Sequence, residues 1–225
     1  MNVVIFGATG MVGQGTLRAC LADPGVKGAL AVGRTPTGRL HPKLCELVRV
    51  DLFNYAGAES ELTGYDACFF CLGVMSSGMD EASYTKLTYD LTMAAATVLA
   101  RLNPAMTFVY VSGAGTDSSE KGRVMWARVK GRTENALQRL PFKAVYLFRP
   151  GIILPLDGIQ SKTPAYRTFY KWAAPLISLV RAVVPQWVLT TDSIGRAMIA
   201  AAHGGASKAV LEVRDIYELG RVRAG

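Results

Sequence analysis

A short apolar run in "NVVIF" gives way to glycines at Gly7, Gly10 and Gly13 and then to "MVGQGTLRACLA", whose apolar residues recur at helical spacing. A continuous apolar run of this length fits a strand covered on both faces. Strand, G-x-x-G-x-x-G and helix in that order form the turn that receives a dinucleotide pyrophosphate. Gly7 permits the sharp turn off the strand, Gly10 lets backbone approach the phosphates, and Gly13 lets the helix pack tightly. The backbone of Thr9, Met11 and Val12 completes the cradle. Unpaired N–H groups and the positive end of the helix dipole face the anion there.

The same alternation continues along the chain. "GALAVGR", "CELVRVDL", "DACFFCLG", "TFVYVSG" and "FKAVYLFRPG" read as strands, and "SYTKLTYDLTMAAATVLARL" and "GRVMWARVKGRTENALQRL" as helices. Short connections between them predict an α/β fold, a Rossmann-type doubly wound parallel sheet. A single domain over 1–225 is expected. Within it, "IILPLDGIQSKTPAYRTFYKWAAPLISLVRAVVPQW" predicts a small C-terminal lid lobe, 152–190, on the substrate side. "VLTTDSIGRAMIAAAH" follows as a helix capped by Thr191 or Asp192. "KAVLEVRDIYEL" then reads as a strand, with Asp215 capping a last short helix.

Arg34 ends the second strand, where an acidic residue would ordinarily meet a free adenosine ribose. A guanidinium there suits a 2′-phosphate, so NADP (NADPH) is the expected cofactor. Asp51 and Leu52, after the third strand, are placed at the adenine, with Asp51 accepting from its amino group. Cys71, Leu72 and Gly73 bring backbone beside the adenine ribose.

Other signals narrow the function. The net charge of +8 is spread without a basic run of five, which argues against nucleic acid and suits attraction of an anionic dinucleotide. Two prolines and Arg181 break the most apolar stretch, so no membrane span is expected. Gly7 and Gly10 interrupt the opening apolar run, so no secretory leader is expected either. Four cysteines without framework spacing fit a reducing cytoplasm; Cys68 and Cys71 lie three apart on a strand, facing opposite sides. His41 and His203 have no ligand spacing, and no metal site is expected.

The motifs "GATGMVG", "VGR", "VDL", "FFCLG", "YVSGAG", "VKGRTENAL", "FRPGIILP" and "TTDSIGRAM", in that order, span nearly the whole chain. Together they resemble the atypical short-chain dehydrogenase/reductases, in the NAD(P)-binding epimerase/dehydratase-like branch. The Tat-interacting-protein oxidoreductase-like subgroup is the most similar. The resemblance implies a catalytic serine at Ser112 and a lysine at Lys130 that binds the nicotinamide ribose. It also implies that Pro150, Gly151 and Ile152 lie against the nicotinamide amide, with Arg149 structural.

The family's tyrosine, four residues before the lysine, is Trp126 here. An indole N–H donates a hydrogen bond but does not release its proton near neutral pH. Tyr110 is expected in the core, and Tyr166 and Tyr170 are the lid alternatives for a proton donor. Ser76 and Ser77 are candidates for substrate contacts.

Two readings remain at this point. One is an NADP(H)-dependent oxidoreductase or epimerase-like isomerase with an altered proton donor, acting on a small apolar substrate. The other is a non-catalytic NADP(H)-binding redox sensor or regulator working through a protein partner. The lysine, crevice and lid favour the first, and a homodimer stays open beside either.

Overall fold

The computed structural model describes residues 1–155 and 188–221. Seven parallel strands form one sheet in the order β3-β2-β1-β4-β5-β6-β9. They are β1 (Asn2–Phe6), β2 (Gly28–Gly33), β3 (Leu44–Val48), β4 (Ala67–Phe70), β5 (Thr107–Val111), β6 (Ala144–Arg149) and β9 (Val210–Glu212). Strands β7 (Ile152–Leu154) and β8 (Val188–Thr190) make a separate parallel pair. The order reverses direction at β1, which puts a crevice beyond the carboxyl ends of β1 and β4.

Residue alternation splits the core into two layers. Val3 and Ile5 face α1 (Met11–Ala22), α5 (Thr191–Gly204) and α6 (Val213–Arg221). Val4 and Phe6 face α3 (Leu91–Leu102) and α4 (Met125–Leu137). In the second layer Phe6 stacks on Phe70 at 5.1 Å, and Phe70 on Phe108 at 5.9 Å. Cys68 lies in this layer while Cys71 packs against the other, as the strand period requires.

Several boundaries differ from the sequence reading. The third strand stops at Val48 rather than reaching Asp51 and Leu52, because its partner β2 ends at Gly33, opposite Val48. The long helix begins at Glu81, where Asp80 accepts from the Ser83 N–H. It is interrupted by a π turn (Lys86–Asp90) between α2 (Glu81–Thr85) and α3. The following helix is shorter than expected, covering Met125–Leu137.

Helix α5 is capped by Thr190, not by Thr191 or Asp192. The Thr190 side chain accepts from the Ser193 N–H while Ser193 Oγ accepts from the Thr190 N–H, a reciprocal box that the other two residues cannot make. Asp215 accepts from the Glu212 N–H at 2.9 Å, and so ties the start of α6. Most of the expected lid, with Tyr166 and Tyr170, lies outside the described residues.

The described C-terminal elements belong to the main layers: β9 extends the sheet beside β6 and α5 lies on α1. The α1–α5 crossing is close because both helices present glycine. A Cβ on Gly15 would fall 2.5 Å from the Thr191 carbonyl oxygen, and one on Gly195 would fall 2.8 Å from Ala19 Cβ. Gly15→Ala is expected to lower stability by about 1–3 kcal/mol, read as a shifted urea midpoint, because two backbones must part to admit one methyl group.

Candidate functional site

The crevice is built from the ends of four neighbouring strands. Gly7 leaves β1 with φ +76°, and a Cβ there would meet the Leu72 backbone at 2.9 Å. Cys71 N–H bonds to the Phe6 carbonyl, locking the end of β4 to that of β1. A Cβ on Gly13 would stand 2.1 Å from the Gly7 oxygen, so the start of α1 lies against the turn.

At Gly10, by contrast, a Cβ would meet only the Gly7 oxygen at 3.3 Å. Gly10 is the N-cap of α1, no side chain caps it, and the first turn carries no acidic residue. The first intrahelical acceptor bond from this end is Gln14 N–H to Gly10 O. The donors of Met11, Val12 and Gly13 therefore meet no carboxylate of their own first turn. An anion can approach backbone there without displacing a side chain, and the cradle fits a pyrophosphate.

The other half of the crevice lies where β5 and β6 end. Ala114 N–H bonds to the Pro150 carbonyl at 2.9 Å. Gly151 sits close to Val213, where a Cβ would meet the Val213 side chain at 3.2 Å, while Ile152 is half exposed. Lys130, on α4, donates to the Ser112 carbonyl at 3.0 Å and stands over the Tyr110 ring at 5.7 Å. Burial lowers the Lys130 ammonium to about 8, against the opposing field of Glu134 one helical turn further on.

Trp126 lies one turn before Lys130, with its ring facing Gly115; a Cβ there would sit 3.6 Å from the indole Cη2. Tyr110 is a core residue, 1 % exposed, and burial pushes its phenol well above the usual range. It holds its proton within the sheet layer.

Glu134 is the residue that sequence reasoning missed. It is fully buried on α4 and accepts the Ser112 hydroxyl at 2.5 Å. Arg149 grips it twice, Nε to Oε1 at 3.1 Å and Nη2 to Oε2 at 2.5 Å. The guanidinium also reaches Glu212 and Ser118, which joins α4, β6, β9 and the loop after β5. Hydrogen bonding to Glu134 raises the Arg149 pKa and outweighs burial.

Ser112 has one hydroxyl proton, and it points at Glu134, with the Phe148 carbonyl 3.2 Å away. Its lone pairs, rather than its proton, remain for a ligand. In the sequence Glu134 looks like an i, i+4 partner of Lys130 on a solvated helix face. Only the position of Arg149 across the sheet end shows otherwise.

The residues expected at the adenosine end divide. Ala8, Thr9, Gly33, Thr35, Glu46 and Val48 line one cleft. Arg34 is exposed, and its side chain does not line that cleft although both neighbours do. Asp51 is exposed and accepts from the Phe53 N–H, whereas Leu52 is buried in the core. Cys71 bonds to Thr16, and burial pushes its thiol to about 12. Ser76 is half-buried, and Ser77 and Gly73 are exposed.

No family model matches the chain. A protein of Emericella nidulans named "Protein fmp52, mitochondrial" is 30% identical over 207 residues, covering 89% of this chain and 86% of that protein. "Protein fmp52-2, mitochondrial" of Aspergillus oryzae is 28% identical, covering 98% and 97%. "Protein HTATIP2" of Rattus norvegicus is 25% identical, covering 81% and 79%.

Among solved structures, the Bordetella bronchiseptica enzyme WbmF in complex with NAD+ superposes with TM-score 0.67 at 16% identity, over 96% of this chain and 76% of that one. An oxidoreductase of the short-chain dehydrogenase/reductase family from Burkholderia thailandensis gives 0.66 at 15%, over 96% and 92%. The cytoplasmic location expected from the cysteines is corrected: the fmp52 relatives are named mitochondrial. Reduced, buried thiols reflect local packing and do not distinguish one compartment from another. Among the described residues no helix is long and apolar enough to cross a membrane.

The buried pair gives a direct test. Glu134→Ala strands Arg149 and is expected to cost about 3–5 kcal/mol in urea unfolding. Ser112→Ala removes one hydrogen bond to a charged acceptor and is expected to cost about 1.5–3 kcal/mol. The match to the Emericella nidulans protein over most of both chains shows the family, and the solved structures show the fold they share with this chain: the chain belongs to the fmp52 family.

Proposed function

We propose that this protein is an NADP(H)-dependent oxidoreductase acting on a small apolar substrate, with Trp126 in place of the family's tyrosine. The observation that carries it is the α1 N-terminus, where Gly10 leaves backbone donors open to a diphosphate and the first turn supplies no acid of its own. WbmF holds NAD+ in one structure and NADH in another at such a fold, which supports a nicotinamide cofactor here.

When bound, the nicotinamide supplies or takes a hydride. Met11, Val12 and Gly13 would hold the pyrophosphate by their N–H groups. Arg34, at the rim, is free to turn toward a 2′-phosphate, since it makes no ion pair among the described residues. Lys130 would donate to the nicotinamide ribose hydroxyls while keeping its bond to the Ser112 carbonyl. Pro150, Gly151 and Ile152 would lie along the nicotinamide amide.

Proton delivery separates this chain from the pattern that its resemblance implies. Trp126 offers a hydrogen bond but no proton, and the Ser112 proton is directed at Glu134. Substrates whose reduced form takes its proton from water, such as quinones and activated double bonds, fit this arrangement better than simple ketones. The same bond between Ser112 and Glu134 favours a second reading, a non-catalytic NADP(H) sensor acting through a protein partner.

NADPH oxidation against a panel of carbonyls and quinones tests both readings. The unmodified protein is expected to turn over quinones and leave ketones. Trp126→Tyr is expected to gain ketone reduction by about 10²-fold or more, the contribution of a positioned acid. Stoichiometric NADPH binding without oxidation by either protein would favour the sensor.

A pH series gives an independent check. Lys130 is charged below about 8 and loses its proton above it. NADP(H) affinity is therefore expected to fall by about tenfold between pH 7 and 9. Lys130→Met should bind more weakly at pH 7 and lose that dependence.

A further inference from the structure

The cleft between the glycine turn and the start of the β2–β3 connection is lined by backbone and hydroxyl groups. Among the described residues lining it, Glu46 is the one ionisable side chain. It comes from β3, in register with Ala31, two residues before the end of β2. It is exposed, so a ligand can reach it from solvent.

One oxygen of the carboxylate is already engaged. Oε1 accepts from the Thr37 N–H at 2.7 Å and from the Thr37 hydroxyl at 2.5 Å. Thr37 Oγ1 in turn accepts from the Arg39 N–H at 3.2 Å. This clasp fixes the turn that carries Arg34 and orients the carboxylate beside Thr9 and Gly33. Oε2 makes no bond to a described residue. Arg34 makes no ion pair with Glu46, so the two charges do not neutralise each other and each stays available to a ligand.

We infer that Glu46 is a specificity residue for the dinucleotide's adenosine end, accepting a ribose 2′-hydroxyl at Oε2, so that this chain binds NAD(H) as well as NADP(H). The inference rests on the dinucleotide reading above and refines it. A carboxylate accepts from a hydroxyl and repels a phosphate dianion, whereas Arg34 does the reverse. The cleft therefore presents an acceptor for one form of the cofactor, and its rim presents a cation for the other. The acid is supplied from β3, across the sheet, and not from the end of β2 where a sequence reading looks for it.

Calorimetric titration with NAD+ and NADP+ at one ionic strength, on the unmodified protein, Glu46→Gln and Arg34→Gln, tests this. The unmodified protein is expected to hold both within about tenfold of each other. Glu46→Gln should weaken NAD+ by about tenfold and leave NADP+ unchanged or tighter. Arg34→Gln should weaken NADP+ and spare NAD+.

If Glu46→Gln leaves the ratio of the two affinities unchanged, whether both are unaltered or both fall together, the inference is overturned and Glu46 serves only to clasp its loop. If neither dinucleotide binds the unmodified protein, the dinucleotide reading fails and this inference fails with it. Glu46 is a surface residue, and circular dichroism of Glu46→Gln separates a lost contact from a lost fold.

Discussion

Three stretches of backbone meet at Gly7 with no room for a side chain between them. The end of β1 turns through a positive φ, the end of β4 passes at van der Waals distance, and the first turn of α1 lies against the Gly7 carbonyl. Each contact requires a missing Cβ, at Gly7 for the first two and at Gly13 for the third. The convergence puts β1 beside β4 and aims the helix axis out of the crevice. Ala8 and Thr9, on the turn itself, line the cleft that Glu46 enters from β3.

The opposite side of the crevice is held by charge. Glu134 is buried with Arg149 on two of its edges and Ser112 on a third contact, and Arg149 reaches on to Glu212, so the ion pair ties two strands, a helix and a loop. Such a pair contributes less to net stability than its short distances imply, because both ions had to leave water. Its effect is on geometry. It holds α4 against the ends of β5 and β6, and so sets where Lys130 stands relative to the Ser112 carbonyl. Burial there makes the lysine less basic than one in water, while the field of Glu134 works against that shift.

The glycine turn and the strand–helix alternation were legible because each is a local pattern whose meaning does not depend on distant residues. β1, α1 and β5 follow their sequence signals closely. Glu134 was not legible, since an acid four residues after a lysine has the same appearance on a solvated helix as in a buried network. Glu46 escaped for a related reason: β3 alternates Leu44, Glu46 and Val48 on one face, which reads as an edge strand with a charge toward water. Only the loop returning through Thr37 turns that charge into part of a cleft. The Thr190 cap was hidden among three consecutive cap-forming residues, Thr190, Thr191 and Asp192, and was selected by Ser193.

The small β7–β8 pair has a consequence for how relatives of this chain can diverge. Ile152 is in register with Val188 and Leu154 with Thr190, so two positions far apart in the chain are held side by side. The pair shares no strand with the seven-stranded sheet, so a relative can change the number of residues between β7 and β8 while every pairing of the main sheet is kept.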